Sequence, residues 1–466
     1  EVVSIVAARY AKLELFDHAI ELADTISDPF ARDNTLTEIA AASIATGAPE
    51  YSDALLEMIE DVGARSVAIE ATAVKYAERG DLDKSIELAN ELDDSDPTLS
   101  RIALANGTFS PRSVEIASSI TASELRSTTL GQLAALAHRT NLKSEAEELL
   151  AESLQAADEV EFSQNRIYAL VGVASVYTEI GETDQARETL SRALEECETF
   201  EGQPAWGLPA SFPRDAALAQ IVEGFARLGH FDQADVAAEQ IEDPFQFANA
   251  STKEALEYFR AGQVDQAHTL LSEALELVLE EAVYGEQGML VKDSVLVELA
   301  MGFAITGQLE KGLQVTTKIS SEHQHFNALE QLGKQCARAG NSHGVFQVAQ
   351  SITNSYSTTS YWLAISDFLR ELSAAELVQQ ALFEAATSAA MIEHPYEKTV
   401  SLIEVGYRVE LTNDSAKASE LFSLALKTIN QLEEDYKKAL SLLRIDQRFR
   451  ELKRIPNEEE RYLLGQ

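Results

Sequence analysis

Tryptophan occurs twice, cysteine twice, methionine four times and proline ten times in 466 residues. Cys197 and Cys336 stand far apart and form no CxxC pair, so no disulfide framework is implied, and both read as small apolar residues inside helices. Ten prolines and 22 glycines are too few for long disordered tracts. No apolar run reaches the roughly 18 residues that a membrane span needs. Positive charge is scarce: 37 basic residues against 77 acidic ones leave a formal net charge of −40. That field repels phosphate backbones, which argues against nucleic acid as a partner, and it keeps a long open surface soluble. Adaptation to high salt would explain the same charge.

Catalytic signatures are also missing. The chain has no HExxH, no GxSxG and no Walker loop. Its eight histidines are scattered, and only Glu322, His323 and His325 cluster, within SSEHQHFN, which reads as a solvated loop rather than a zinc site. No metal, no cofactor and no enzymatic activity are expected. The sequons at Asn106, Asn249 and Asn413 are the kind that arise by chance. The chain opens at Glu1 with neither methionine nor a signal-like segment. An excised or processed product is expected from this, with cytoplasmic localisation.

What the chain does have is self-similarity. EATAVKYAERGDLDKSIELA from Glu70, GVASVYTEIGETDQARETLSRAL from Gly172 and EALEYFRAGQVDQAHTLLSEAL from Glu254 share one register. Around the glycines Gly80, Gly181 and Gly262, alanine stands seven residues before (Ala73, Ala174, Ala255) and tyrosine four before (Tyr76, Tyr177, Tyr258). Aspartate stands three after (Asp83, Asp184, Asp265), and a small residue five after (Ser85, Ala186, Ala267). Looser copies turn at Glu14, Gly47, Asn141, Gly229, Gly307, Gly340 and Asn413, and the poorest near Leu372, with Phe368 at the tyrosine place. Steps run from 32 to 48 residues, except for 61 between Gly80 and Asn141, wide enough to hide a degenerate unit. In each unit a first helix ends at a residue in the left-handed cap conformation, and acidic residues start a second helix, where the dipole favours them. Small residues let the two helices approach closely. No unit can bury its apolar face alone, so neighbours must stack.

The Ala73–Tyr76–Gly80–Ser85 set and its counterparts resemble the tetratricopeptide repeat (TPR) family from Val2 to about Leu432. The family's early tryptophan is replaced by Ile69, Leu170, Leu218 and Leu296, and its inter-unit proline is clear only at Pro97. The resemblance implies an all-α, right-handed superhelical solenoid of stacked antiparallel helix pairs, about ten to twelve repeats long. The expected organisation is a solenoid over 1–431, with insert loops at about 201–213 and 283–292 and a degenerate repeat at about 99–130. A C-terminal capping helix and tail follow over 432–466, where eight basic residues match eight acidic ones. Leu440, Leu443, Phe449 and Leu452 would form its apolar spacing, beneath a polar outer face; the alternative is a docking helix for another domain or subunit.

A preformed groove favours a non-catalytic scaffold that holds a partner protein or peptide. The alternatives are a sensor arm of a larger signalling ATPase or protease, which the resemblance allows, and self-association through an uncapped end. The residue two before each turn, or its equivalent, is often basic: Lys12, Arg139, Arg227, Arg260, Arg338 and Arg370. Such a row would attract an acidic segment or a peptide C-terminus, or else it complements helix dipoles for a few tenths of a kcal/mol. Arg227, Arg260, Arg338 and Arg370, with Glu223, Asn249 and Lys334 beside them, are the candidate partner-binding residues. Trp206, in the Pro/Gly-rich stretch EGQPAWGLPASFPRD, is a further candidate contact, or else folds back over an apolar edge.

Overall fold

The computed structural model describes residues 2–200, 212–281 and 285–464. Its regular structure among the described residues is wholly α-helical, in 26 helices. The chain forms two compact units, Glu1–Glu242 and Asp243–Gln466. The N-terminal unit runs α1 (Val2–Lys12), α2 (Phe16–Asp24), α3 (Pro29–Thr46), α4 (Glu50–Met58), α5 (Val62–Glu78), α6 (Leu82–Ala89) and α7 (Asp96–Leu104). It continues with α8 (Pro111–Ser118), α9 (Ser123–Arg139), α10 (Lys143–Asp158), α11 (Ser163–Ile180), α12 (Thr183–Thr199), α13 (Phe212–Arg227) and α14 (Phe231–Ala238). The C-terminal unit holds α15 (Pro244–Arg260), α16 (Val264–Glu280), α17 (Gly285–Ile305), α18 (Leu309–Thr316), α19 (Glu322–Arg338) and α20 (Ser342–Ser351). After these come α21 (Ser355–Glu371), α22 (Ala375–Met391), α23 (Pro395–Glu410), α24 (Ser415–Ile429), α25 (Asp435–Glu451) and α26 (Glu458–Leu463).

These are thirteen helix pairs, and one residue at positive φ sits in the turn of each. They are Glu14, Gly47, Gly80, Gly107, Asn141, Gly181, Gly229, Gly262, Gly307, Gly340, Ser373, Asn413 and Lys453. The next N–H then reaches back to the tyrosine place: Asp81 N to Tyr76 O at 3.0 Å, Glu182 N to Tyr177 O at 2.9 Å, Gln263 N to Tyr258 O at 2.9 Å. This 6→1 bond satisfies a carbonyl that the helix end would leave unpaired. It also corrects one register. Ala374 N bonds Leu369 O, so Ser373 rather than Leu372 is the turn, and buried Leu369 rather than Phe368 holds the tyrosine place.

Two pairs lie beyond the eleven turns read from the sequence. One is α7–α8, the unit hidden in the wide step, turning at Gly107. The other is α25–α26, where a tail was expected: Asn457 and Glu460 form a capping box that starts α26. The 283–292 stretch is not a loop over most of its length, since α17 begins at Gly285 and carries the apolar run Met289–Leu290–Val291 into the helix. Of the 201–213 insert, residues 201–211 lie outside the described residues, and α13 takes up the chain at Phe212.

Within a pair the small residues mark the closest crossing. Ser85 Oγ donates to Ala73 O at 2.6 Å, joining the place five after the turn to the place seven before it. A Cβ on Gly312, at the same place in its own pair, would lie 2.7 Å from Ala300 O. Between pairs of the same unit, first helices pack on first helices, and each second helix also leans on the following first helix. Gly312→Ala should therefore destabilise the C-terminal unit by about 1–3 kcal/mol through overpacking, despite alanine's better helix propensity. Urea unfolding checks this; an unchanged midpoint would mean that the crossing is slack.

The junctions between pairs follow a second rule. A basic residue near the start of a first helix donates to carbonyls of the loop or helix end before it. Arg126 reaches Ile120 O and Arg166 reaches Val160 O, both at 2.9 Å; Arg214 Nε reaches Cys197 O at 3.0 Å; Lys292 reaches Glu281 O at 2.8 Å. Buried aspartates on first helices accept N–H groups from the loop after the pair. Asp293 takes Ser320 N and Ser321 N at 2.8 Å each, Asp33 takes Asp61 N, and Asp215 takes Glu242 N. Asp96 takes Thr121 N and Ala122 N as well as the Thr121 hydroxyl. Burial pushes the Asp96 carboxyl up, but those hydrogen bonds and Arg126 outweigh it and hold it below the ordinary 3.8. Its stabilisation is thus present above that value and is lost as pH falls through the lower folded one. Asp96→Asn should be less stable than wild type at neutral pH, and the two should converge in acid below about pH 3.8. Denaturant melts across pH test this, and a constant gap at every pH would contradict it.

Candidate functional site

The exposed residues of the first helices form the surface on which the predicted cations lie. Arg139 Nη2 meets Glu179 Oε1 at 2.7 Å between α9 and α11, so the places two before the turn can touch laterally. In the C-terminal unit the predicted row is occupied locally. Arg260 pairs with Glu257 on its own helix. Lys334 pairs with Glu330 at 2.5 Å, and Arg370 lies 3.7 Å from Asp367. Arg338 bonds Gln335 at 3.4 Å and covers the Phe368 ring at 5.4 Å. With Ser373 as the turn, Arg370 stands three residues before it, and Glu371 holds the column's place. Between Arg260 and Arg338 the column carries Ile305 on α17, so among the described residues of the C-terminal unit it is not continuously basic. Asn249 is half-buried on α15, away from the column, and Trp206 lies outside the described residues.

In the N-terminal unit two predicted residues come together. Glu223 and Arg227, one turn apart on α13, line a recess of about 330 Å³ between α11 and α13, closed behind by Leu190 of α12. The rest of the wall is Tyr168, Val171, Gly172, Ala174, Ser175, Thr178, Gln220 and Gly224. Two glycines shape it. A Cβ on Gly224 would lie 2.9 Å from Leu190, so this glycine seats α13 on α12, whereas a Cβ on Gly172 would meet nothing within 4 Å and would point into open space. The Tyr168 hydroxyl donates to Pro213 O at 3.1 Å, tying the wall to the start of α13. Burial, helped by nearby Cys197, pushes the Tyr168 phenol up. Arg227 is exposed and makes no hydrogen bond or ion pair among the described residues.

Sequence reasoning reached Arg227 and Glu223 through the column but missed Tyr168, Ser175, Thr178 and Gln220. The traces of the recess in the sequence are Gly172 and Gly224, glycines in mid-helix with no capping duty.

Other clusters offer less chemistry. Glu322, His323 and His325 stand in the first turn of α19, not in a loop, capped by Ser321, and His325 Nδ1 is 2.7 Å from Thr316 O. Among the described residues no group of three or more metal-ligating side chains is close enough to hold an ion. No helix of the described residues is long and apolar enough to cross a membrane.

No family model and no curated protein matches the chain. Solved structures of low identity do. A Rap protein complexed with competence and sporulation factor is 13% identical, with 90% of this chain and 98% of that one covered and a TM-score of 0.27. The signal-transduction ATPase with a tetratricopeptide repeat sensor from Pyrococcus horikoshii is 13% identical, covering 97% of this chain and 63% of that one, at 0.26. The Ton1535 protein from Thermococcus onnurineus is 14% identical over 78% of this chain and 99% of that one, at 0.26.

Both cysteines are buried. Burial is the main cause that pushes the Cys197 thiol up to about 12, with Arg214 opposing it, and burial raises Cys336 as well. Neither thiol is therefore a nucleophile at neutral pH. Native protein should resist iodoacetamide at pH 8 and take up two equivalents only once unfolded, as mass spectrometry would show; fast native labelling would mean that the thiols are reached by opening of the fold.

Proposed function

We propose that this chain is a non-catalytic scaffold of TPR-like helix pairs that holds a partner protein or peptide against the exposed face of its first helices. In the N-terminal unit the anchoring point is the recess between α11 and α13. The observation that carries this reading is Arg227. In a chain of net charge −40, it stands at the rim of a recess with its guanidinium unengaged among the described residues. Beside it are the hydroxyls of Ser175 and Thr178 and the amide of Gln220. A guanidinium so placed can take a carboxylate in two parallel hydrogen bonds. Apolar floor residues such as Val171 would receive a neighbouring side chain. The partner's complementary feature is thus an acidic side chain or a chain terminus beside an apolar residue. Rigid helices on both walls keep the ordering cost of binding small.

Gly172→Leu supplies the cleanest test, because the new side chain enters open space and leucine is a better helix former than glycine. It should plug the recess without harming the fold. Affinity capture from the source cells should recover a partner with wild type and lose it with both Gly172→Leu and Arg227→Glu, while circular dichroism stays unchanged. A partner retained by both variants would remove the recess from the binding surface.

A further inference from the structure

The last helix breaks the repeat. In the twelve pairs before it, the second helix lies along its own first helix, whereas α26 packs on α24, the second helix of the preceding pair. The reason stands at the closest crossing. Seven residues before the turn, eleven of those pairs carry alanine, glycine or serine, as at Ala73, Gly333 and Ser366, and the other carries Val222. Before the turn at Lys453 that place is Asp446, ion-paired with Arg450 at 2.8 Å, and the place five after the turn is Glu458. Bulk and like charge on both sides of the crossing keep α26 off α25. Leu440 and Leu443, expected to face inward with Phe449, are exposed on α25.

What α26 rests on is a site whose parts do not depend on it. Arg454 is only 10% exposed. It donates to Glu410 of α23 and, at 2.6 Å, to Ser419 of α24, and its guanidinium covers the rings of Phe422 and Phe449 at 5.1 and 5.5 Å. So held, it donates to Glu460 at 2.7 Å. One turn apart on α24, Ser423 and Lys427 donate to Glu459 at 3.3 and 2.8 Å. Leu463 and Leu464 lie against the apolar core of the unit. The site thus reads two adjacent carboxylates and, one turn later, two leucines.

α26 holds this site loosely. The Lys427–Glu459 pair is about half-exposed at both ends, where an ion pair contributes little. Tyr462 is exposed, and six residues are too few to stay helical undocked. Within α26 only Glu460 is fully buried, held by Arg454 and by the Asn457 amide at 2.7 Å. We propose that this face of α24, with Arg454, is a docking site for an acidic helical segment of a partner protein, and that α26 occupies it in cis as a displaceable stand-in. The segment it fits carries two adjacent glutamates followed one turn later by two leucines, the pattern that α26 seats there. The site is independent of the recess beside Arg227.

The probe is a fluorescently labelled synthetic peptide with the sequence of residues 456–464, and its control carries lysine for both Glu459 and Glu460. The tethered α26 competes with it at a roughly millimolar effective concentration. Anisotropy with the whole wild-type chain should therefore show weak binding of the peptide and none of the control. Glu460→Ala leaves the site itself unaltered and should tighten peptide binding about tenfold or more, with faster hydrogen exchange confined to α26. Adding Lys427→Glu should lose the peptide, and a peptide with lysine at the Glu459 place should recover binding to that variant. Circular dichroism should stay unchanged throughout. Equal affinity for wild type and Glu460→Ala overturns the proposal, as does absent binding once hydrogen exchange shows α26 released. Unchanged exchange in Glu460→Ala overturns it as well, because α26 is then not displaceable. Concentration-dependent dimerisation seen by light scattering and lost with Lys427→Glu also overturns it, the occupant then being α26 of a second copy. Should Glu460→Ala lose helicity beyond α26, the exposed change Glu459→Ala decides by the same comparison.

Discussion

A helix that ends must reverse direction before it can bury its apolar face on its neighbour, and the cheapest reversal puts a single residue at positive φ. The rest of this molecule depends on that turn. Thirteen such residues close the thirteen pairs. The hydrogen bond that follows each of the clear turns fixes which carbonyl is capped, and hence which residue sits at the groove-filling place. Once that register is set, the small residues seven before and five after fall opposite one another, and the helices can close to the distance seen at Ser85 and Gly312. Glycine is the usual residue because it has no Cβ to strain. Asparagine at 141 and 413 is the next best, and Glu14, Ser373 and Lys453 show that packing can hold other side chains there.

Stacking the pairs raises a different problem, because each junction leaves backbone groups near the core. Buried aspartates and the basic residues that often precede them deal with this from the same helix turn: Arg32 with Asp33, Arg214 with Asp215, Lys292 with Asp293. The aspartate accepts amides of the loop after the pair, and the cation donates to carbonyls, mostly of the segment before it. Much of the chain's scarce positive charge is used in this way or in lateral ion pairs between first helices. Arg227 stands at a recess between first helices that Gly172 and Gly224 shape, with hydroxyl and amide groups beside it.

The recurrence of glycine, tyrosine and small residues at set spacing already determined the helical class, the pairing and most of the turns, because those residues act through local backbone geometry within one hairpin. The weaker copies were legible only in part. The turn at Gly107 lacks the tyrosine, and Ser373 is shifted by one because Leu369 rather than Phe368 fits the buried place. Tertiary structure alone decided where the charges went. The column read as a basic row is, in the C-terminal unit, a set of local contacts, since an arginine in an acidic chain finds the nearest carboxylate or ring, and nothing in a linear pattern shows which one that is. The recess was invisible for the same kind of reason. Tyr168, Ser175, Thr178 and Gln220 share no motif and meet only because Gly224 lets α13 settle on Leu190 and Gly172 leaves the space beside it unfilled.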